Sequence, residues 1–134
     1  MRAQKSYSLE TLFRALADPT RLRLLNLMNG CNEVCVCYFV EILKTSQPKI
    51  SRHLAYLRRA GIVATRRDGK WMHYRLVPPP SGPAAIILAQ TLDALVKERR
   101  FETDRERLKL ACCEPQRFVS LSGAPQPSHP ANPG

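Results

Sequence analysis

The 134-residue sequence has no apolar run that approaches the roughly 20 residues of a membrane-spanning helix. Its first ten residues, MRAQKSYSLE, lack the apolar core and the small-residue cleavage site of a secretory signal peptide. We therefore expect a cytoplasmic protein with no membrane partner. In that compartment the five cysteines are expected to be free thiols rather than a disulfide framework.

Acidic residues are scarce. The chain has 11 Asp plus Glu against 21 Lys plus Arg, which gives a formal net charge of +10. Between Lys44 and Arg75, nine basic residues accompany a single acid, Asp68. Positive charge with so little compensation indicates an anionic partner, and nucleic acid is the leading candidate. The total charge alone also fits a ribosomal or an acidic-protein partner.

Apolar residues at helical spacing predict four helices in the first half of the chain. These helices are expected to begin after Ser8, after Asp18, near Val36 and after Ser46. The second and fourth each carry a proline just inside the cap, where a missing N–H costs nothing. The fourth helix, which is expected to end at Gly61, has apolar residues on one side and basic residues on the other.

After Gly61 the pattern becomes strand-like. Residues 62–67 and 70–76 flank Asp68-Gly69, a preferred two-residue hairpin turn. Pairing of Arg67 with Lys70 predicts one face that packs on the helices, made of Val63, Thr65, Met72 and Tyr74. The other face, expected to meet solvent or a ligand, consists of Arg66, Trp71, His73 and Arg75.

The C-terminal part begins with the proline-rich residues 78–83, which are followed by one long predicted helix from about Ala84 to Leu110. Its apolar side needs a cover, and a second copy of the chain is the simplest one, so a homodimer is expected. Residues 114–134 contain five prolines and are predicted to be a disordered tail. The expected domain is therefore 1–113.

Two helices, a proline-capped basic helix and a basic hairpin predict a mainly α (α+β) fold, the winged helix-turn-helix. In this fold the second helix of the pair enters the major groove and the two-stranded hairpin wing reaches phosphate or the minor groove. The predicted DNA-binding residues are Ser46, Gln47, Lys49, Ser51, Arg52 and His53 on that helix, and Arg66, Arg67 and Lys70 on the wing. A winged helix used for protein contacts is the alternative, but it does not explain the basic bias of both elements.

Three of the five cysteines, Cys31, Cys35 and Cys37, fall within the stretch CNEVCVC. A single cysteine is usually a small buried apolar residue, but a clustered set favours the binding of a thiophilic ion. A position at a helix N-terminus lowers the pKa of a thiol and favours the thiolate. Residues two apart point to opposite sides of a helix, so Cys35 and Cys37 are expected to share an ion only if the first turn opens. Such opening could tilt the recognition helix.

The stretches FRALADPTRLRLL, EVCVCYFVEIL, SQPKISRHLAYLRRAGIV and DGKWMHYRL together resemble the ArsR/SmtB family of bacterial repressors, and most closely its arsenical-resistance branch. The resemblance covers about Leu12 to Leu76. It implies a homodimeric repressor that is not an enzyme, binds operator DNA and is released when As(III) or Sb(III) binds. It implies no organic cofactor.

In that branch three cysteines in the pattern C-x-C-x-x-C on the third helix hold the ion. Here the first two positions correspond to Cys35 and Cys37, but the third is Val40. Cys31 is the favoured substitute because closing a short loop is cheap, which gives the predicted ligand set Cys31, Cys35 and Cys37. The pair Cys112-Cys113 is the other candidate. The zinc-sensing branch uses carboxylates and histidines on the last helix, and the last helix of this chain has no histidine.

Two other repressor functions remain open from the sequence, and a thiol-dependent reductase is a distant alternative. A Cd(II)/Pb(II)-sensing branch shares C-V-C but adds cysteines from an N-terminal arm, and residues 1–30 contain none. A thiol-redox repressor would use Cys112-Cys113 or the Cys35/Cys37 pair. A thiol-dependent reductase would need an activated cysteine with an anion-binding loop or a C-x-x-C motif, and neither is present.

Overall fold

The computed structural model describes residues 8–128 and shows a mainly helical fold with one small antiparallel sheet. The helices and strands are α1 Leu9–Leu16, α2 Pro19–Met28, β1 Val34–Cys35, α3 Val36–Leu43, α4 Gln47–Arg59, β2 Val63–Asp68, β3 Trp71–Leu76, α5 Gly82–Lys97 and α6 Arg99–Cys113. Two short 3-10 helices follow, Pro115–Arg117 and Val119–Leu121. The predicted winged helix-turn-helix is confirmed, with α3 and α4 as the helix pair and β2–β3 as the wing.

The four predicted helix starts are confirmed, and the first two carry the expected capping hydrogen bonds. The Ser8 hydroxyl accepts a hydrogen bond from the Thr11 N–H, and the Asp18 carboxylate accepts one from the Arg21 N–H. Lys44 ends α3 in the left-handed conformation, with φ of 53°, and turns the chain toward α4. The predicted apolar side of α4 is fully buried in the core, through Ile50, Leu54 and Leu57. This burial leaves the basic side of α4 facing outward.

The sheet differs from the prediction in register and in strand number. Asp68 pairs with Trp71, so the turn residues are Gly69 and Lys70 rather than Asp68 and Gly69. The shift is two residues, which preserves side-chain alternation and hence both predicted faces. A third strand that was not predicted, β1, pairs with β3 and gives the order β1-β3-β2. His73 was expected on the solvent or ligand face, but it lies opposite Cys35 in this pairing and is buried.

The single long C-terminal helix predicted from Ala84 to Leu110 is wrong. The backbone is extended at Glu98, which separates α5 from α6. The break lets α6 pack back against α2: the buried Asp104 pairs with Arg23, and the Asn26 amide donates to the Phe101 carbonyl oxygen at 2.9 Å. The spacing of apolar residues along the sequence cannot predict such contacts, because the paired residues are far apart in the chain.

The prediction of a disordered tail also differs from the structure over residues 114–128. Leu121 is buried in the core, and the Gln126 amide donates to the Cys112 carbonyl oxygen at 2.9 Å. The Ser128 backbone pairs with Asn32 and Glu33. Packing thus continues beyond the expected boundary at residue 113. The remaining part of the predicted tail, residues 129–134, lies outside the described residues.

Candidate nucleic-acid interface and thiol cluster

The outward face of α4 carries most of the predicted DNA-binding residues. Ser46, Gln47, Lys49 and Arg52 are exposed, and Ser51 and His53 are half-buried. Burial of the apolar side of the same helix fixes which way these side chains point. The first turn of α4 contains no acidic residue, so its partly positive N-terminus and its basic side chains act together on an anion.

A groove of about 820 Å³ lies between α2 and α4, and Arg21 forms part of its wall. The Arg21 guanidinium donates to the carbonyl oxygens of Ala15 and Arg14 at 2.8 Å each, and it stacks 4.2 Å from the centre of the Tyr56 ring. It also donates to Nδ1 of His53 at 3.3 Å, because a guanidinium cannot accept a hydrogen bond. His53 therefore links two helices. Sequence reasoning missed Arg21, although its place in the first turn after the Asp18 cap was visible.

All three wing residues that were predicted to bind DNA are exposed, and one of them, Arg66, is ion-paired. Arg67 and Lys70 are exposed, and the Lys70 ammonium lies 4.9 Å from the centre of the Trp71 ring. Arg66 instead donates through Nε and Nη2 to the two carboxylate oxygens of Glu33, at 2.9 and 2.7 Å. This guanidinium holds the pKa of Glu33 below its usual range. The wing is thus joined to the stretch that carries the cysteines.

Cys35 and Cys37 lie side by side, with their sulfurs 3.1 Å apart. Cys35 ends β1 in an extended conformation and is the N-cap of α3, so only Cys37 is inside the helix. The two thiols are therefore close together without any opening of the first turn of α3, because Cys35 precedes that turn. The thiol of Cys37 donates to the sulfur of Cys35 and, with backbone N–H groups, lowers the pKa of Cys35 to about 7. The same interaction and burial raise the pKa of Cys37.

Cys31, the third predicted ligand, lies in a different place. It lines a cavity of about 400 Å³ together with Cys112, Cys113, Leu27 and Leu108. Burial, with a smaller contribution from Cys112, raises the pKa of Cys31 to about 11. Among residues 8–128, no three Cys, His, Asp or Glu side chains stand close enough together to hold a metal ion. The structure therefore brings Cys35 and Cys37 together, and it leaves Cys31 beside Cys112 and Cys113, the other candidate ligands.

Tyr38 lies between these two groups of thiols and was missed from the sequence, where it reads as an ordinary core aromatic. Its side chain is fully buried, and within the described part of the chain its hydroxyl has no hydrogen-bond partner. Burial, with smaller contributions from the neighbouring Cys112, Cys37 and Cys35, raises the pKa of Tyr38 to about 12. A buried hydroxyl donor is thus available beside the thiols.

A basic α4 next to a basic wing, on a winged helix-turn-helix, defines a DNA-binding regulator. None of the helices in residues 8–128 is long and apolar enough to cross a membrane. The family described as "Bacterial regulatory protein, arsR family" matches residues 18–65. The chain belongs to this family of transcriptional regulators.

Two relatives and one solved structure show the extent of the similarity. The arsenical resistance operon repressor of Escherichia coli strain K12 is 52% identical over 77 residues, which are 57% of this chain and 66% of that repressor, slightly under two thirds. The arsenic resistance transcriptional regulator ArsR2 of Pseudomonas putida KT2440 is 45% identical over 83 residues, 62% of this chain and 72% of ArsR2. HlyU from Vibrio cholerae N16961 superposes with a TM-score of 0.54 at 30% identity, covering 66% of this chain and 91% of HlyU.

Proposed function

We propose that the protein is an arsenic- or antimony-responsive transcriptional repressor: a homodimer that binds operator DNA and leaves it when As(III) or Sb(III) binds cysteine thiolates. The observation that carries this proposal is the Cys35–Cys37 pair, with sulfurs 3.1 Å apart at the start of the helix that supports α4. The names of the Escherichia coli and Pseudomonas putida relatives, both of which refer to arsenic or arsenical resistance, support the choice of ion.

The DNA-binding half of the proposal rests on the outward face of α4 and on the wing. Lys49 and Arg52 are exposed and can neutralise phosphates, while Gln47 and Ser51 near the helix start would meet base edges. Arg67 and Lys70 at the wing would bind the neighbouring backbone or minor groove. Because the proposed target is operator DNA, the proposed place of action is the cytoplasm.

A homodimer is supported by apolar side chains that α1 and α5 leave exposed. Phe13 on α1 is 53% exposed, and Ile86 and Val96 on α5 are 64% and 51% exposed. A second copy of the chain would remove this apolar surface from water. We therefore propose that residues 1–113 carry the DNA-binding and dimerisation functions, with residues 114–128 packed on this unit.

The proposed inducer site has two thiols in place and recruits a third. Thiolates select soft ions, and the lowered pKa of Cys35 keeps a large share of this thiol ionised near neutral pH. The two sulfurs, 3.1 Å apart, would have to move apart to hold an ion. Two ligands of a tetrahedral zinc ion, for comparison, lie roughly 3.8 Å apart, since each Zn–S bond is about 2.3 Å long. Cys31 is the proposed third ligand, and it must leave the cavity that it shares with Cys112 to reach the pair.

The experiment that tests the proposal measures operator affinity of the full-length protein by fluorescence anisotropy, with and without arsenite or antimonite. We expect either ion to release the DNA, and we expect Cys37→Ser and Cys31→Ser to abolish the release. Cys113→Ser changes the exposed member of the other candidate pair, and we expect it to keep the release; loss of release there with release intact in Cys31→Ser would assign the third ligand to Cys113. Loss of release in Cys112→Ser with release intact in Cys31→Ser would assign the third ligand to Cys112.

The same assay separates the other repressor classes. Release by Cd(II) or Pb(II) but not by arsenite would indicate a divalent-ion sensor. Release by peroxide alone would indicate a thiol-redox sensor. If no thiophilic ion and no oxidant changed operator affinity, the proposed inducer response would be refuted, while DNA binding itself would still stand.

A further inference from the structure

Side chains from all three strands form one row across a single face of the sheet. Cys35 of β1 lies opposite His73 of β3, and His73 lies opposite Arg66 of β2. Directly opposed residues share a face, and neighbouring strands are about 4.8 Å apart, so the backbones of Cys35 and Arg66 are separated by roughly 10 Å. A proposed ion ligand and a basic residue of the wing are therefore members of the same small sheet.

Glu33 spans this row. It precedes Cys35 by two residues in an extended stretch, so both side chains project to the same side. Its carboxylate accepts both hydrogen bonds from Arg66, and one of its oxygens lies 3.7 Å from Nδ1 of His73. Backbone hydrogen bonds between Glu33 and Ser128 hold the main chain at the same point.

The geometry of this ion pair leaves Arg66 able to bind a second anion. The two bonds use Nε and Nη2, so Nη1 carries no hydrogen bond to Glu33 and keeps its two donors. The Arg66 side chain is 50% exposed, so this free edge of the guanidinium can reach solvent. A planar guanidinium that a carboxylate grips on one edge has a fixed orientation, which a free arginine lacks.

We propose that Glu33 is a positioning residue that orients Arg66 toward a DNA phosphate, and that ion binding by the thiols on either side of Glu33 breaks this contact. The inference rests on the proposed function. Cys31 lies in the cavity with Cys112, whereas Cys35 lies beside Cys37. Bringing Cys31 to that pair displaces the three residues between Cys31 and Cys35, of which Glu33 is the central one. Arg66 then keeps its positive charge, but Glu33 no longer holds its guanidinium in a fixed orientation.

The test measures operator affinity of the full-length protein, with and without arsenite, for Glu33→Gln, Arg66→Ala and the double variant. Glu106→Gln removes an exposed acid from α6 and is the charge-matched control. Relative to that control, we expect Glu33→Gln to weaken operator binding without arsenite about fivefold. The arsenite effect, which is the ratio of operator affinities without and with arsenite, should shrink by a similar factor. In the Arg66→Ala background, Glu33→Gln should have no further effect. Arg66→Ala should also reduce the salt dependence of binding by about one phosphate contact.

Three outcomes would overturn the inference. Tighter binding by Glu33→Gln than by Glu106→Gln would show that the carboxylate competes with phosphate. An arsenite effect of equal size in the parent and in Glu33→Gln would show that the ion pair carries no coupling. If Glu33→Gln does not fold, Arg66→Lys keeps the charge but cannot form the two parallel bonds, and parent-like binding by that variant would refute the positioning role.

The design separates this inference from the proposed function. If arsenite fails to release the parent protein, the proposed function fails, and the comparison of ion-free affinities still decides whether Glu33 positions Arg66. If arsenite releases the parent and Glu33→Gln equally, only the coupling through Glu33 is lost.

Discussion

The ion pair between Arg23 of α2 and Asp104 of α6 is not symmetric, and its asymmetry leads to a prediction about stability. Asp104 is 3% exposed, and its two oxygens accept hydrogen bonds from Arg23 at 2.7 and 3.0 Å. The Arg23 side chain is 32% exposed. An arginine that loses its partner can therefore turn toward water, whereas a buried carboxylate that loses its partner cannot.

We expect Arg23→Ala to cost about 3–5 kcal/mol in the free energy of unfolding, the usual cost of leaving a buried charge unpaired. Asp104→Ala should cost only about 1–2 kcal/mol, since it removes hydrogen bonds from a guanidinium that stays partly hydrated. The double variant should resemble Asp104→Ala, because the isolated buried charge is gone.

Urea unfolding followed by circular dichroism measures these differences, at one fixed protein concentration because a dimer's stability depends on it. An Arg23→Ala cost equal to or smaller than the Asp104→Ala cost would refute the reasoning. A Glu106→Gln variant controls for the loss of an acid from the same helix, and its unfolding free energy should change by less than about 0.5 kcal/mol.

Three further predictions concern the thiol pair, the recognition helix and the wing. Cys37→Ala removes the hydrogen-bond donor to Cys35, so the pKa of Cys35 should rise above about 7. Ultraviolet absorption of the thiolate measures the midpoint of ionisation, and an unchanged midpoint would contradict this. Arg52→Ala should reduce the slope of log affinity against log salt by about one phosphate contact, and an unchanged slope would place Arg52 outside the interface. Gly69 has a φ of 60°, so Gly69→Ala should lower the free energy of unfolding in urea by about 1 kcal/mol. Gly30→Ala is the control and should change stability little, because an added Cβ there meets no atom within 4 Å.

Local chemistry explains why the helix-turn-helix could be predicted from the sequence. The Asp18 cap fixes where α2 begins, a proline within two residues of Ser46 marks where α4 begins, and the apolar side of α4 fixes which side is exposed. The faces of the wing were predicted although its register was not, because a shift of two residues leaves alternation unchanged. Asp-Gly remains a good turn former, but here Gly69 takes the first turn position.

The features that the sequence did not reveal all depend on contacts between distant residues. β1 is only two residues long, too short for any alternation, and it exists because β3 offers it a partner. Glu33 and Arg66 are 33 positions apart, and Arg23 and Asp104 are 81 positions apart. The closeness of Cys35 and Cys37 follows from β1 as well, because pairing with β3 holds Cys35 in an extended conformation outside α3.

The pairing of Ser128 with Glu33 also sets an order of events during synthesis. Ser128 follows Glu33 by 95 positions (128 − 33), and their backbone groups meet only after residue 128 has left the ribosome. Closing so long a loop carries an entropic cost that the helices and the hairpin do not bear. The backbone contact of Ser128 with Glu33 is therefore among the last contacts that the nascent chain can make, whereas β1 can pair with β3 as soon as residue 76 has emerged.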